Sequence, residues 1–236
     1  MLEVFVLLGT LLPDTASVAE AFGDQAPEDP APGDGLFPEE EAMVARAVQR
    51  RRQEFATGRR CARQALAALG FPARPLLTGP NREPLWPAGV VGSITHCDGY
   101  RAAAVAHVRD LASVGIDAEP NKPLPDGVLG VVALPGEVDQ LAALTDADPT
   151  VCWDRLLFSA KESIYKTWFP LARRWLGFTD AKVEVDRVEA AFTATLLVPG
   201  PPYGEGILRT LRGRFVAENG LIVTAIALPV TSAVTS

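Results

Sequence analysis

Apolar positions change period several times along this chain, and each change marks an element. The run Met1-Leu2-Glu3-Val4-Phe5-Val6-Leu7-Leu8 is short, apolar and partly β-branched, which predicts a first strand. Residues 21–38 lose all periodicity to Gly, Pro, Asp and Glu and predict an exposed loop. The loop ends at Pro38 followed by Glu39, Glu40 and Glu41. This is a helix start, since proline's missing donor costs little there and the acids face the positive dipole end. Helical spacing continues to Leu69, with Thr57-Gly58 as a break and Gly70 as a C-terminal cap, so two helices are predicted. Pro72, Pro75, Pro80, Pro84 and Pro87 punctuate a loop that leads into strands over 90–96, 101–108 and 114–118, the last two separated by the polar turn Arg109-Asp110. Residues 120–127 are proline-rich and divide the chain into halves, 1–119 and 120–236. A weak helix over 136–144, a stronger one over 153–168, and strands over 182–187, 191–198, 208–216 and 221–228 follow. No exact repeat is present, yet each half offers helices and an antiparallel strand set, the pattern of an α+β fold.

Length and composition narrow the class. With 236 residues and 48% hydrophobic content the chain can build a real core. A formal net charge of -7 opposes broad nucleic-acid binding, while the clustered arginines leave room for a small anion. Cys61, Cys97 and Cys152 are odd in number and widely spaced, so reduced thiols in a cytoplasmic protein are expected. The first apolar run has no positive flank and is too short to cross a bilayer, so no membrane association is expected.

Three stretches carry the candidate chemistry. On a strand, Asp117 and Glu119 share one face while Ala118 turns to the other, a two-carboxylate clamp. On a helix, Glu162 and Lys166 stand four apart with Lys161 beside them, so a third carboxylate comes flanked by ammonium groups. Gly92-Ser93-Ile94-Thr95-His96-Cys97 adds hydroxyls and an imidazole. Oxygen ligands of this kind suit Mg²⁺, which shares its shell with substrate phosphates, and Mn²⁺ fits equally well. Arg52, Arg59 and Arg63 form a helical stripe with Arg51 at its edge. Taken singly, the Asp-x-Glu pair reads as a solvated turn, the lysines as surface helix pairs and the arginines as a wet helix face.

Together, Gly58-Arg59-Arg60-Cys61-Ala62-Arg63, Arg82-Glu83-Pro84-Leu85-Trp86-Pro87, Gly92 to Cys97, Gly115-Ile116-Asp117-Ala118-Glu119 and Lys161-Glu162-Ser163-Ile164-Tyr165-Lys166 resemble the signature of 4′-phosphopantetheinyl transferases, in the larger Sfp-like form. The resemblance implies two similar α+β halves in pseudo-twofold arrangement, with the active site between them. It implies transfer of phosphopantetheine from coenzyme A to a serine of acyl or peptidyl carrier domains of fatty-acid, polyketide or nonribosomal-peptide synthases, by a monomer. By the same resemblance Asp117, Glu119 and Glu162 hold Mg²⁺, and Glu162 takes the serine proton directly or through a water. Arg51, Arg59, Ser93, Thr95 and His96 lie near the coenzyme A phosphates, with Lys161 and Lys166 facing the pyrophosphate. The chain has Thr78-Gly79-Pro80 where some relatives carry a lysine before the Gly-Pro turn.

Two other functions share these residues: a non-catalytic coenzyme A binder, and a Mg²⁺-dependent phosphodiesterase, for which the net charge makes nucleic acid a poor substrate. The four tryptophans are expected to pack in the core, or Trp168, Phe169 and Leu171 with Arg173 and Arg174 to form an apolar, basic edge for an acidic carrier.

Overall fold

The computed structural model describes residues 6–24 and 34–231. In chain order the elements are β1 (Ala16–Phe22), α1 (Pro38–Val44), α2 (Gln49–Ala68), β2 (Val90–Cys97), β3 (Tyr100–His107), β4 (Leu111–Pro120), α3 (Leu129–Val132), α4 (Pro135–Ala147), α5 (Trp153–Ala172), β5 (Ala181–Asp186), β6 (Ala191–Leu196), β7 (Pro202–Tyr203), β8 (Gly206–Ile207), β9 (Thr210–Glu218) and β10 (Leu221–Pro229). The strands form an antiparallel three-stranded sheet, β1-β3-β2, an antiparallel five-stranded sheet, β4-β10-β9-β6-β5, and a small β7-β8 ribbon. Helices packed on antiparallel sheets make this an α+β fold. Among the described residues no helix is long and apolar enough to cross a membrane.

Two expectations need correction. The strand predicted over 1–8 falls largely outside the described residues, and Leu7 and Leu8 lie in a bend and a single 3-10 turn, not a strand. Both leucines are buried, and their N–H groups donate to the Glu20 carboxylate at 3.2 and 2.9 Å in place of a neighbouring strand. The first strand is instead β1, whose sequence Ala-Ser-Val-Ala-Glu-Ala-Phe has too many small residues to announce itself. The helix break lies at 45–48, while Thr57 and Gly58 are buried inside α2. Gly58 faces Ile94 of β2, where a Cβ would stand 3.5 Å from the isoleucine methyl, so this glycine serves packing and not interruption. Gly70 does close the helix, at φ +85.

The two sheets meet at β2 and β4, which run parallel without sharing a ladder. Ser93 Oγ accepts from the N–H of Ile116 at 3.2 Å, and Thr95 Oγ1 accepts from the N–H of Ala118 at 2.9 Å. Side-chain hydroxyls thus occupy the acceptor role that a strand's carbonyls would fill, and all four residues are buried. On the other face of β4 lies α5. Its residues Ser159, Ser163 and Thr167 recur every four positions and are fully buried. Small side chains at that spacing let the helix approach closely. Each hydroxyl is satisfied: Ser163 Oγ donates to Ala160 O and Thr167 Oγ1 to Ser163 O within the helix, and Ser159 Oγ meets Thr224 Oγ1 of β10 at 3.0 Å. Ser113 Oγ of β4 reaches Thr167 O at 2.8 Å. Around this contact Leu156, Leu157, Ile164 and Trp168 build the main core with Ile222 and Ile226.

Gly115 sets the distance between β4 and α5. A Cβ there would lie 2.2 Å from Ser163 O and 2.2 Å from Thr167 Oγ1, so α5 rests directly on the strand backbone. Gly115→Ala should therefore lower stability by about 1–3 kcal/mol through overpacking. In thermal unfolding that corresponds to a fall in Tm of roughly 2–4 °C per kcal/mol for a chain of this size. Gly136→Ala in α4, where a Cβ meets nothing within 4 Å, is the control and should be neutral or stabilising. Equal losses in the two variants would refute the close-approach reading.

Candidate functional site

Asp117 stands where the seam and α5 converge, and it is 5% exposed. Its Oδ1 accepts from Lys166 Nζ at 2.8 Å and from Thr95 Oγ1 at 3.3 Å. Lys166 also donates to Ile116 O at 3.0 Å, so the lysine bridges helix and strand. Asp117 Oδ2 is buried and has no hydrogen-bond partner among the described residues. Glu119, two residues on along the same face of β4, accepts from Arg155 at 3.0 Å. Burial and the Asp117 charge push its carboxyl up to about 7, against the pull of Arg155. Glu162 is half-buried; burial raises its pKa, Lys166 opposes the shift, and Asp117 reinforces it. Asp117 and Lys166 thus lie within electrostatic reach of Glu162 at the mouth of the seam.

Could this set hold a divalent cation? Among the described residues no group of three or more His, Cys, Asp and Glu side chains is gathered tightly enough to do so, because Asp117 is turned to Lys166 and Glu119 to Arg155. The donor chemistry nevertheless fits. A buried carboxylate oxygen without a partner, beside a second carboxylate whose ionisation is hindered by the first, is the arrangement that a hard cation relieves. Cys97 is near the same carboxylates, and burial together with Glu119 and Asp117 pushes its thiol up to about 12, which leaves it protonated and unreactive.

The cationic side comes from α2 and the end of β2. Arg51 Nη1 lies 2.8 Å from His96 Nε2. Arginine can only donate, so Nε2 is the acceptor and the ring carries its proton on Nδ1. Burial, and next the Arg51 charge, hold the His96 pKa below the ordinary imidazole value. Arg59 and Arg63 do not form the wet stripe with Arg52 that the spacing suggested, for both are buried while Arg52 is exposed. Arg63 donates to both oxygens of the fully buried Glu40 at 2.8 and 2.9 Å. Arg59 lies over the Phe55 ring at 4.3 Å, with its Nε 4.0 Å from Glu40 and without a hydrogen bond. Burial pulls its pKa down to about 10.

Several expected residues take other work. Ser93 and Thr95 accept from the β4 backbone with their hydroxyl oxygens, and Thr95 also donates to Asp117 at the site. Lys161 is turned away from Asp117 altogether: its Nζ donates to Glu137 Oε2 at 2.7 Å and to the carbonyls of Val132 and Phe178 at 2.8 Å each. The reason is helical geometry, since at about 100° per residue five positions separate the Lys161 and Lys166 directions by about 140°. Trp168 and Phe169 are buried, so no apolar edge forms there. Arg173 is 3.8 Å from Glu83, and Arg174 packs over Trp168 and donates to Pro199 O. The tryptophan at the surface is Trp175, 74% exposed, whose ring centroid is 4.8 Å from that of Tyr165. With Glu162, Leu176 and Phe178 these rings line an open cleft beside the site. Arg155 was missed by the sequence reading. Its signal was available, because it precedes Glu162 by seven residues, two helical turns on one face.

Residues 39–106 match the family model described as the 4′-phosphopantetheinyl transferase N-terminal domain, and residues 113–202 that of the 4′-phosphopantetheinyl transferase superfamily. The chain is 56% identical over 222 residues to the 4′-phosphopantetheinyl transferase Svp of Streptomyces mobaraensis, covering 94% of this chain and 89% of that protein. It is 46% identical over 235 residues to the 4′-phosphopantetheinyl transferase PptT of Mycobacterium tuberculosis, covering 96% and 100%. To the 4′-phosphopantetheinyl transferase Npt of Nocardia iowensis it is 44% identical over 229 residues, covering 94% and 99%.

The Arg51–His96 contact has a measurable consequence. A folded-state pKa below the ordinary imidazole value of 6.5 means that the native state binds fewer protons than the unfolded chain near that pH. The contribution of His96 to stability is therefore complete above about 6.5 and is lost as pH falls below it. The chain has 2 histidines, so ring-proton NMR follows each separately. Arg51→Ala should raise the His96 pKa towards the ordinary value, with burial still holding it low. An unchanged titration would show that the two side chains do not interact in solution.

Proposed function

Because the chain belongs to the 4′-phosphopantetheinyl transferase superfamily and is an enzyme that places phosphopantetheine on carrier proteins, we propose that the seam between β2, β4 and α5 is its active site. Asp117, Glu119 and Glu162 would hold Mg²⁺, which when bound neutralises the pyrophosphate of coenzyme A. Arg51 of α2 and His96 near the end of β2 pair a guanidinium with a neutral imidazole, a set suited to the terminal phosphate, arginine through its planar fork. Arg59 adds a buried positive charge behind them. Lys166, already spanning Ile116 and Asp117, holds an ammonium at the junction where the pyrophosphate would lie.

In the reaction, the serine Oγ of the carrier forms a bond to the phosphorus next to the pantetheine. The bond from that phosphorus to the bridging oxygen breaks, and adenosine 3′,5′-bisphosphate leaves. The serine proton passes to Glu162, directly or through a water. Burial raises its pKa, which favours proton uptake, while a cation on the same carboxylate would oppose the shift. Positioning and charge neutralisation supply the remaining rate. The three cysteines are unpaired, which supports action in the reducing cytoplasm. Elements from both halves meet in one chain, which supports a monomer. The acceptors are carrier domains of fatty-acid, polyketide or nonribosomal-peptide synthases.

The observation that carries this reading is the 2.8 Å contact of Lys166 with Asp117, which brings the α5 and β4 motifs to one place. Intact mass spectrometry of an apo carrier protein incubated with the enzyme, coenzyme A and Mg²⁺ should show a gain of one phosphopantetheine. Asp117→Ala should abolish it. Glu162→Gln should slow kcat by about 10²–10⁴-fold with coenzyme A still bound. Full activity in Glu162→Gln would remove it from the role of base.

A further inference from the structure

Lys161 is adjacent in sequence to Glu162, yet its ammonium is already saturated. Its three protons go to Val132 O, Glu137 Oε2 and Phe178 O, and the residue is 3% exposed. The acceptor Glu137 is itself fully engaged, taking the N–H of Leu134 at 2.7 Å on Oε2 and the N–H of Val183 at 2.7 Å on Oε1. One buried ion pair thus ties together α5, the end of α3, the start of α4, β5 and the turn at Phe178.

The first half contains the same construction. Glu40, three residues into α1 after Phe37-Pro38, accepts from the N–H of Phe37 at 3.0 Å, from the N–H of Leu76 at 2.9 Å, and from Arg63 of the following long helix. Glu137 stands in the same place after Leu134-Pro135, accepts from its own cap N–H, from a backbone N–H beyond the next long helix, and from a cation on that helix. By position and partners, Lys161 is the counterpart of Arg63. That chain-internal correspondence separates Lys161 from Lys166, whose ammonium meets the site.

We propose that Lys161, paired with Glu137, is a positioning residue for the transfer reaction and not a ligand of substrate phosphate. It fixes the rotation of α5, and so the direction of Glu162. Through Phe178 O it also pins the 173–178 segment that forms the cleft wall beside Glu162. The inference rests on the transferase reading for its kinetic consequence, while its structural consequence stands apart from activity.

Three measurements on Lys161→Met test it. Calorimetric affinity for adenosine 3′,5′-bisphosphate should be unchanged, kcat should fall about 10²-fold from misplacement of Glu162, and hydrogen exchange should quicken across 173–180. Glu137→Gln, which keeps an acceptor for Val183, should show the same pattern more weakly and serves if Lys161→Met does not fold. The double variant Lys161→Met with Glu137→Gln, which leaves no unpaired buried charge, should regain Tm without regaining kcat. Weakened adenosine 3′,5′-bisphosphate binding would make Lys161 a phosphate ligand and overturn the proposal. So would unchanged exchange over 173–180, or recovery of kcat together with Tm in the double variant. If the wild-type enzyme modified no carrier, the transferase reading would fail, and the exchange and binding arms would still judge Lys161.

Discussion

The structure depends on how two sheets are joined where neither can extend the other. β4 is paired with β10 on one side, and on the other the N–H groups of Ile116 and Ala118 point to β2, which belongs to a different sheet. Left without acceptors, buried amides of this kind cost roughly 1–3 kcal/mol each. Ser93 and Thr95 supply the acceptors from their side chains, which frees the β2 backbone to pair with β3 alone. The consequence is geometric. β2 ends beside β4 in parallel, so Arg51 and His96 come to lie on one side of a junction whose other side is Asp117, Lys166 and Glu162.

Burial of charge organises each half around that junction. Glu40 and Glu137 are both fully enclosed, and an isolated carboxylate could not remain ionised there. Each is surrounded by its own helix cap, a distant backbone amide and a cation from the next long helix. Such pairs contribute little net stability over apolar replacements but are costly to break singly. Their value here is specificity of arrangement, because each fixes which way a long helix faces. On α5 that holds the Lys161 ammonium against Glu137, at the wall of the cleft that Glu162 also lines.

Much of this was legible in the residues. The helix start at Pro38, the strands β2 to β4, the long α5 and four of the six strands after it follow from period and punctuation, and the five ordered motifs carry the family. What was not legible depends on partners distant in sequence. Gly58 reads as a breaker until Ile94 is seen against it, and the small residues of β1 hide a strand whose ladder partner, β3, lies about 80 residues further on and whose packing partner is α2. The seam role of Ser93 and Thr95 is hidden because nothing local shows that β4 lacks a neighbour on that side. Lys161 looks like a twin of Lys166 because the carboxylate that captures it lies on another helix. Arg155, conversely, could have been found from helical spacing alone.

The pairing of β4 with β10 also bears on how the site comes into being. Asp117 stands opposite Thr224, so the strand that carries two of the carboxylates gains its hydrogen-bonded neighbour only from residues synthesised long afterwards. Closing so wide a loop carries an entropic cost that must be met before the pairing repays it. The three-stranded sheet with α2 has all its strands once residue 107 has been synthesised, whereas the carboxylate strand must wait for residues 221–229. Catalytic competence is therefore a late event in the life of the nascent polypeptide, and damage to β10 would be felt at Asp117, at the far end of the connectivity.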